Sequence, residues 1–278
     1  MPLPLIAEIY PILQHCQRLG LSLEQHADEA LRGIAAAGLD GVEFERLDTP
    51  DTVGSPAALE ACGLLQISCY MGGTLHGEDA PALVDRMVRR AAGLLDRGVR
   101  IIVLNPDPID WNQPLDKDDA ALWRQAAALN GLGERLRRQG QTLAYHTHDA
   151  EMRCGAREFH HMLAATNPEA VRWCLDTHWI FRGSGGSQVA VEDAIRLYGP
   201  RCAAVHVRQS LGGVWSETFG PGDLDHVPLF QLLGEAGFKG PVILEQATES
   251  GTPQTRPFYE SLRLSATSLR EQLAIAGW

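Results

Sequence analysis

A (β/α)8 barrel is the fold class this sequence predicts, and three observations predict it. Short apolar runs alternate along the whole chain with longer segments of helical period, the pattern of repeated β-then-α units on a parallel sheet. Eight such runs can be counted. The length, 278 residues, suits one α/β barrel, a class that reaches about 250 residues as a single unit. One domain over residues 1–278 is therefore expected, with an open doubly wound sheet as the alternative.

The elements follow in order. Residues 3–9 read as the first strand; a capping box at Ser22-Leu23-Glu24-Gln25 precedes a helix over residues 27–37, which Gly38 stops. Residues 41–45 form the second strand. A loop rich in Asp and Pro, residues 48–55, leads through a short helix to a third strand at 64–70, closed by Gly72-Gly73. A helix over 81–97 and a strand over 99–104 come next, and Asn105-Pro106-Asp107-Pro108 ends that strand sharply. The helix over 117–138 stops at Gly140, and Leu143-Ala144-Tyr145 is the fifth strand. Helices at 157–165, 190–197, 228–236 and 257–274 then alternate with strands at 171–175, 202–207 and 242–244; a glycine-rich loop fills 212–222.

Composition bounds the function. Hydrophobic residues make up 45% and charged residues 21%, as in globular proteins. A net charge of −11 argues against nucleic acid and against an anionic membrane surface, both of which call for a basic patch, and leaves a small molecule as the expected partner. The six cysteines are scattered with no CxxC pair, so they are read as reduced. Without a basic leader or an apolar stretch near 18 residues, a cytoplasmic location is expected. A homo-oligomer is compatible with all of this.

In a barrel of this kind the active site lies at the carboxyl ends of the strands. Four successive strands end on a side chain able to bind a cation: His146, Asp176, His206 and Glu245. Any one such residue is commonly a cap or a hydrogen-bonded loop residue. Four on neighbouring strands point to one small volume, and ionisable groups gathered at a barrel mouth carry an electrostatic cost that function or a cation relieves. Mixed nitrogen and carboxylate donors suit Mn²⁺, Co²⁺, Zn²⁺, Fe²⁺ or, less well, Mg²⁺.

The motifs at these strand ends resemble those of the xylose isomerase-like TIM barrels, the sugar phosphate isomerase/epimerase family. Tyr145-His146-Thr147-His148-Asp149-Ala150-Glu151 is similar to the family's YHNHxxE, and Leu175-Asp176-Thr177-His178 to its LDxxH. His206-Val207-Arg208-Gln209 stands where HxKD is usual, Phe219-Gly220-Pro221-Gly222-Asp223-Leu224-Asp225 resembles LGxGxxD, and Val242-Ile243-Leu244-Glu245 resembles the last strand with its glutamate. The resemblance implies one divalent ion, Mn²⁺ first, held by a Glu, Asp, His, Glu set. Asp176, His206 and Glu245 supply three of these. The remaining position falls to Glu151 reaching back from its loop, with His146 as the rival.

The same resemblance implies a metal-dependent isomerase or epimerase of a keto sugar or related polyol, working through a metal-stabilised enediolate. Glu245, His146 or His148 would move the proton. A dehydratase or lyase of an inosose or 3-keto sugar is the alternative, and an inactive barrel serving as a partner subunit is a further one. Arg208, in place of the usual lysine, offers a fork-shaped donor for a carboxylate or an oxygen-rich substrate. His178, Glu43 and Asn105 are the other candidate substrate contacts, all at strand ends or just beyond them. Trp111, Trp179 and Trp215 fall in loops of the same face, where packing is the commoner role of so large a ring.

Overall fold

The computed structural model describes residues 3–45 and 54–278. The loop expected at 48–55 lies, up to residue 53, outside the described residues. Ten strands and ten α-helices are described: β1 (Leu5–Glu8), α1 (Tyr10–Arg18), α2 (Ala27–Ala36), β2 (Gly41–Glu45), α3 (Pro56–Cys62), β3 (Ser68–Gly73), α4 (Ala80–Ala92), β4 (Ile101–Pro106), α5 (Asp119–Arg138), β5 (Thr142–Tyr145), α6 (Arg153–Ala165), β6 (Val171–Asp176), α7 (Thr177–Gly183), α8 (Gln188–Tyr198), β7 (Cys202–Val207), β8 (Ser210–Leu211), β9 (Val214–Trp215), α9 (His226–Glu235), β10 (Val242–Leu244) and α10 (Phe258–Ile275). Strands β1 to β7 and β10 close into one barrel, every neighbouring pair parallel. The expected fold class is the observed one.

Two apolar layers hold it. The inner layer, Ile6, Val103, Ala144, Cys174, Ala204 and Ile243, fills the barrel with small and medium side chains. The outer one is far larger and packs the strands against the surrounding helices through Trp173, Phe159, Leu129, Leu229 and their neighbours. Strand residues that alternate between the two layers explain why the sequence runs read as nearly continuous apolar stretches. Gly133 and Gly240 are needed for close approach: a Cβ would stand 2.2 Å from the Ala170 carbonyl oxygen and 2.0 Å from that of Ala203 respectively.

Some elements differ from expectation for identifiable reasons. The third strand begins at Ser68, four residues late, because Leu65 is drawn off to the Gly41 edge, where its carbonyl accepts from the Val42 amide at 2.9 Å. Helix α1 was hidden by the apolar run continuing from β1 through Pro11 and Ile12. Helix α7 starts directly at the end of β6, with no loop between them, because Asp176 is itself the N-cap and its Oδ1 accepts the Trp179 amide at 2.7 Å. Inside the glycine-rich loop, Gly212 and Gly213, both at positive φ (63° and 82°), turn the β8–β9 hairpin. No helix among the described residues is long and apolar enough to cross a membrane.

Candidate metal centre

Alternation along the strands decides which side chains enter the barrel. Ala144, Cys174, Ala204 and Ile243 belong to the inner layer, and a strand returns to the same face every second residue. Two residues further on stand His146, Asp176, His206 and Glu245. The same step leads from Ile6 to Glu8, from Val103 to Asn105 and from His206 to Arg208. His146 and Glu245 lie just past their strands but keep the ladder, their amides donating to Leu104 and Val207 carbonyls at 2.8 and 3.0 Å.

The four ligand-type side chains converge, with one donor atom of each within 4.8 Å of the others. His146 Nε2 stands 3.5 Å from Asp176 Oδ2, and His206 Nδ1 makes a 3.0 Å hydrogen bond with Glu245 Oε2. Bonds of about 2.1 Å to one ion put adjacent ligands roughly 3.0–3.4 Å apart and opposite ones roughly 4.2 Å apart, so a cation fits after contraction of a few tenths of an ångström. Each histidine also has its other ring nitrogen held. His146 Nδ1 lies 3.3 Å from Asn105 Oδ1, and His206 Nε2 lies 2.8 Å from Glu43 Oε1. The Asn105 hydrogen bond fixes the tautomer and ring plane that a metal ligand needs, while the Glu43 carboxylate places negative charge behind the other imidazole. Asp176 is divided in the same way, Oδ1 capping α7 and Oδ2 facing the cluster.

Charge is concentrated and almost dry. Glu8, Glu43, Asp176, His146, His206 and Arg208 are all at most 2% exposed, whereas Glu245 keeps 12% of its side chain open. Burial alone would raise the Asp176 carboxyl, but the Arg208 guanidinium, 3.3 Å away, and His146 hold it far below the usual range. Glu245, also opposed by burial, is lowered by Arg208, which contacts its Oε1, and by His206. His206 is raised well above an ordinary histidine despite burial, by Cys174, Glu43 and Glu245 around it. Burial lowers His146 and outweighs Asp176 beside it, leaving the neutral imidazole that ligates metals. Acidic groups outnumber the guanidinium that offsets them, which is the donor chemistry of a divalent-cation site.

The Xylose isomerase-like TIM barrel profile matches residues 31–268. The chain belongs to this family. Among solved structures of similar fold, a sugar phosphate isomerase/epimerase from Parabacteroides distasonis superposes with a TM-score of 0.74 at 19% identity, covering 99% of this chain and 95% of that one. An L-ribulose 3-epimerase superposes with a TM-score of 0.72 at 17% identity, over 91% and 90% of the two chains. In sequence, an inosose dehydratase from Lacticaseibacillus casei is 27% identical over 162 residues, so the match spans half of this chain (50%) and about half (51%) of that protein.

Of the family motifs, Tyr145-His146-Thr147-His148-Asp149-Ala150-Glu151 is the one whose residues separate. His146 joins the cluster; Glu151, expected as a ligand reaching back from its loop, lies outside it. The separation has a plain cause. Tyr145, one residue before His146, faces the outer layer, and the Glu151 carboxylate lies on that same outer side, near Tyr145 and Glu158, where its Oε2 accepts the His148 amide at 2.7 Å. His148 stands at the mouth, its ring edge-on to Trp111, Trp179 and His146 at 5.1–5.3 Å between centroids.

The other expected residues gather around the cluster. Arg208, read as a substrate fork, is buried, already shared between Asp176 and Glu245 through Nη2, and sandwiched against Trp179 and Trp215 at 5.0 and 4.7 Å. Arg182 packs over the same two indoles and pairs with Glu249 at 2.7 Å. Glu43 and Asn105, expected at a substrate, are directed instead at the histidines. His178 is buried, its Nε2 2.9 Å from Ser210 Oγ, which donates to Asp223 at 2.8 Å; burial and Arg208 push it down to about 4. Glu8 and the Trp179–Trp215 platform had weaker signals. Glu8 is found by the two-residue step from Ile6, and Trp215 by the hairpin that Gly212-Gly213 implies.

Proposed function

We propose that this protein is a divalent-metal-dependent isomerase or epimerase of a keto sugar or related polyol. The observation that carries the reading is the cluster of His146, Asp176, His206 and Glu245, with Asn105 and Glu43 holding the far side of the two imidazoles. A cation bound there supplies Lewis-acid polarisation of a carbonyl and its neighbouring hydroxyl. The sugar epimerase among the similar folds and the partial likeness to an inosose dehydratase support a sugar-like substrate.

The chain's own residues divide the remaining work. Glu245 is ionised and is the one ligand open to the mouth, so it can take a proton from the carbon beside a bound carbonyl. His148 is held neutral by burial and by His146, and its Nδ1 has no hydrogen-bond partner, so it can accept and return a proton on another side. Return to the same carbon from the opposite face gives an epimer, and return to the adjacent carbon gives an isomer. Arg208 keeps both carboxylates ionised, and Trp179 and Trp215 wall off the water behind it.

The dehydratase reading is favoured by the inosose dehydratase relative, and it needs an acid near a leaving oxygen. Both readings begin with removal of a proton next to a carbonyl. The experiment is incubation of the Mn²⁺- or Co²⁺-loaded protein with ketoses, inososes and 3-keto sugars in D₂O, followed by NMR. Deuterium incorporation with an epimer or isomer supports the first reading, and loss of water supports the second. Metal bound in stoichiometric amount with no exchange into any of these substrates would refute both.

A further inference from the structure

Glu151 belongs to the mouth motif yet stands behind the barrel wall. Its carboxylate is fully buried, one oxygen accepts the His148 amide at 2.7 Å, and the other has no hydrogen-bond partner. Enclosing an ionisable carboxyl for a single backbone contact is costly unless that contact is used. Three neighbouring segments contribute polar groups beside it. Tyr145 comes from β5, and Lys117 precedes α5 and is itself 2% exposed. Glu158 comes from α6, with its Oε1 2.6 Å from Lys117 Nζ and 2.8 Å from Gln125 Nε2 of α5. The same wall is tied to the loop carrying Trp111, since Arg153 bonds Asp116 at 2.7 Å and the Leu115 carbonyl at 2.8 Å.

We propose that Glu151 is a positioning residue, clamping the His148 peptide from outside the barrel so that the turn from His146 to His148 presents both imidazoles to the mouth, with the Lys117–Glu158 pair setting the strength of the clamp. The consequence for turnover rests on the reading of the mouth given above; the clamp itself does not. A charge-assisted bond to an amide is roughly twice as strong as a neutral one, so ionisation of Glu151 tightens it. Burial and the nearby Glu158 raise Glu151 to about 7, against the pull of Lys117 and the His148 amide. The clamp is therefore tight above neutral pH and slack below it.

The test follows the His148 amide by NMR in the full-length, chelator-treated protein labelled with ¹⁵N-histidine, from acid to alkaline pH. The wild-type amide is expected to move downfield as pH rises, with a midpoint near 7. In Glu151→Gln, which keeps an acceptor and the side-chain volume, the amide no longer titrates. Glu158→Gln moves the midpoint to lower pH and Lys117→Met to higher pH, two shifts that a merely structural Glu151 would not produce. Mn²⁺ affinity stays within about threefold in Glu151→Gln, while kcat in the active assay falls about tenfold with little change in KM. A wild-type amide that is flat across this range, or that titrates unchanged in Glu151→Gln, overturns the proposal. If the wild type binds no Mn²⁺ but the amide titrates as stated, the metal reading fails and the clamp stands.

Discussion

Replacing Arg208 by Met removes the guanidinium that contacts both Asp176 and Glu245 while preserving most of the side-chain volume between Trp179 and Trp215. Loss of one partner from a buried ion pair costs about 3–5 kcal/mol. The lower end applies here, because Asp176 retains the Trp179 amide and Glu245 retains His206. At about 2.1 cal/mol/K per residue, a chain of 278 residues unfolds with an entropy of about 0.6 kcal/mol/K, so the metal-free variant should melt about 5 °C below the wild type. A bound divalent ion takes over the neutralisation. Mn²⁺ at a hundred times its dissociation constant stabilises a single-site protein by about 2.7 kcal/mol, or about 4–5 °C at this size. Arg208→Met should gain more than the wild type at equal free Mn²⁺, since its carboxylates are no longer shared. Calorimetry on chelated and Mn²⁺-loaded samples at pH 7 measures both. A metal-free variant melting within about 1 °C of the wild type, or one that Mn²⁺ stabilises less, would refute the assignment of Arg208 as counter-charge to a cation site.

Other outcomes follow from the same geometry. His206 is raised by its acidic neighbours and must lose its proton to ligate, so Mn²⁺ affinity should rise with pH up to that raised pKa and level off above it; calorimetric titration in two buffers of different ionisation enthalpy should show about one proton released near neutrality, and none released would contradict this. His146→Ala should abolish stoichiometric Mn²⁺ uptake. His148→Ala should keep the metal and lose about 100-fold in turnover, which metal analysis and the D₂O assay together distinguish. Gly240→Ala drives a methyl to 2.0 Å from the Ala203 carbonyl and should cost about 2–4 kcal/mol in a denaturant titration; a neutral result would mean the 240 turn relaxes freely.

The barrel was legible because its inner and outer layers leave a simple trace, short apolar runs separated by helical periods. The four clustered side chains were legible for a related reason: each follows an inner-layer residue by two positions, so the strand that ends in it also aims it. What the sequence concealed was the side of the wall on which a residue lies once its strand has ended. Glu151 is five residues beyond His146, past the point where period-two alternation applies, and only the fold of the turn reveals that it joins Tyr145 outside. Arg208 had the opposite character. Its position two residues after His206 sets it inward, but that it is shared between two carboxylates and stacked on two indoles depends on α7 and the β8–β9 hairpin, neither read as an element. Glu43 and Asn105 both end strands, but their commitment to the histidines depends on partners three strands and one strand away around the closed sheet. A helix that starts on a strand's last residue, as α7 does on Asp176, carries no punctuation for sequence reading to find.

The proposed function requires one divalent ion among His146, Asp176, His206 and Glu245. Anomalous diffraction from crystals soaked in Mn²⁺ tests it directly. A single strong peak about 2.0–2.3 Å from one atom of each of these four side chains is the predicted result. No peak at the barrel mouth, or a peak ligated by Glu151 in place of His146, would contradict it.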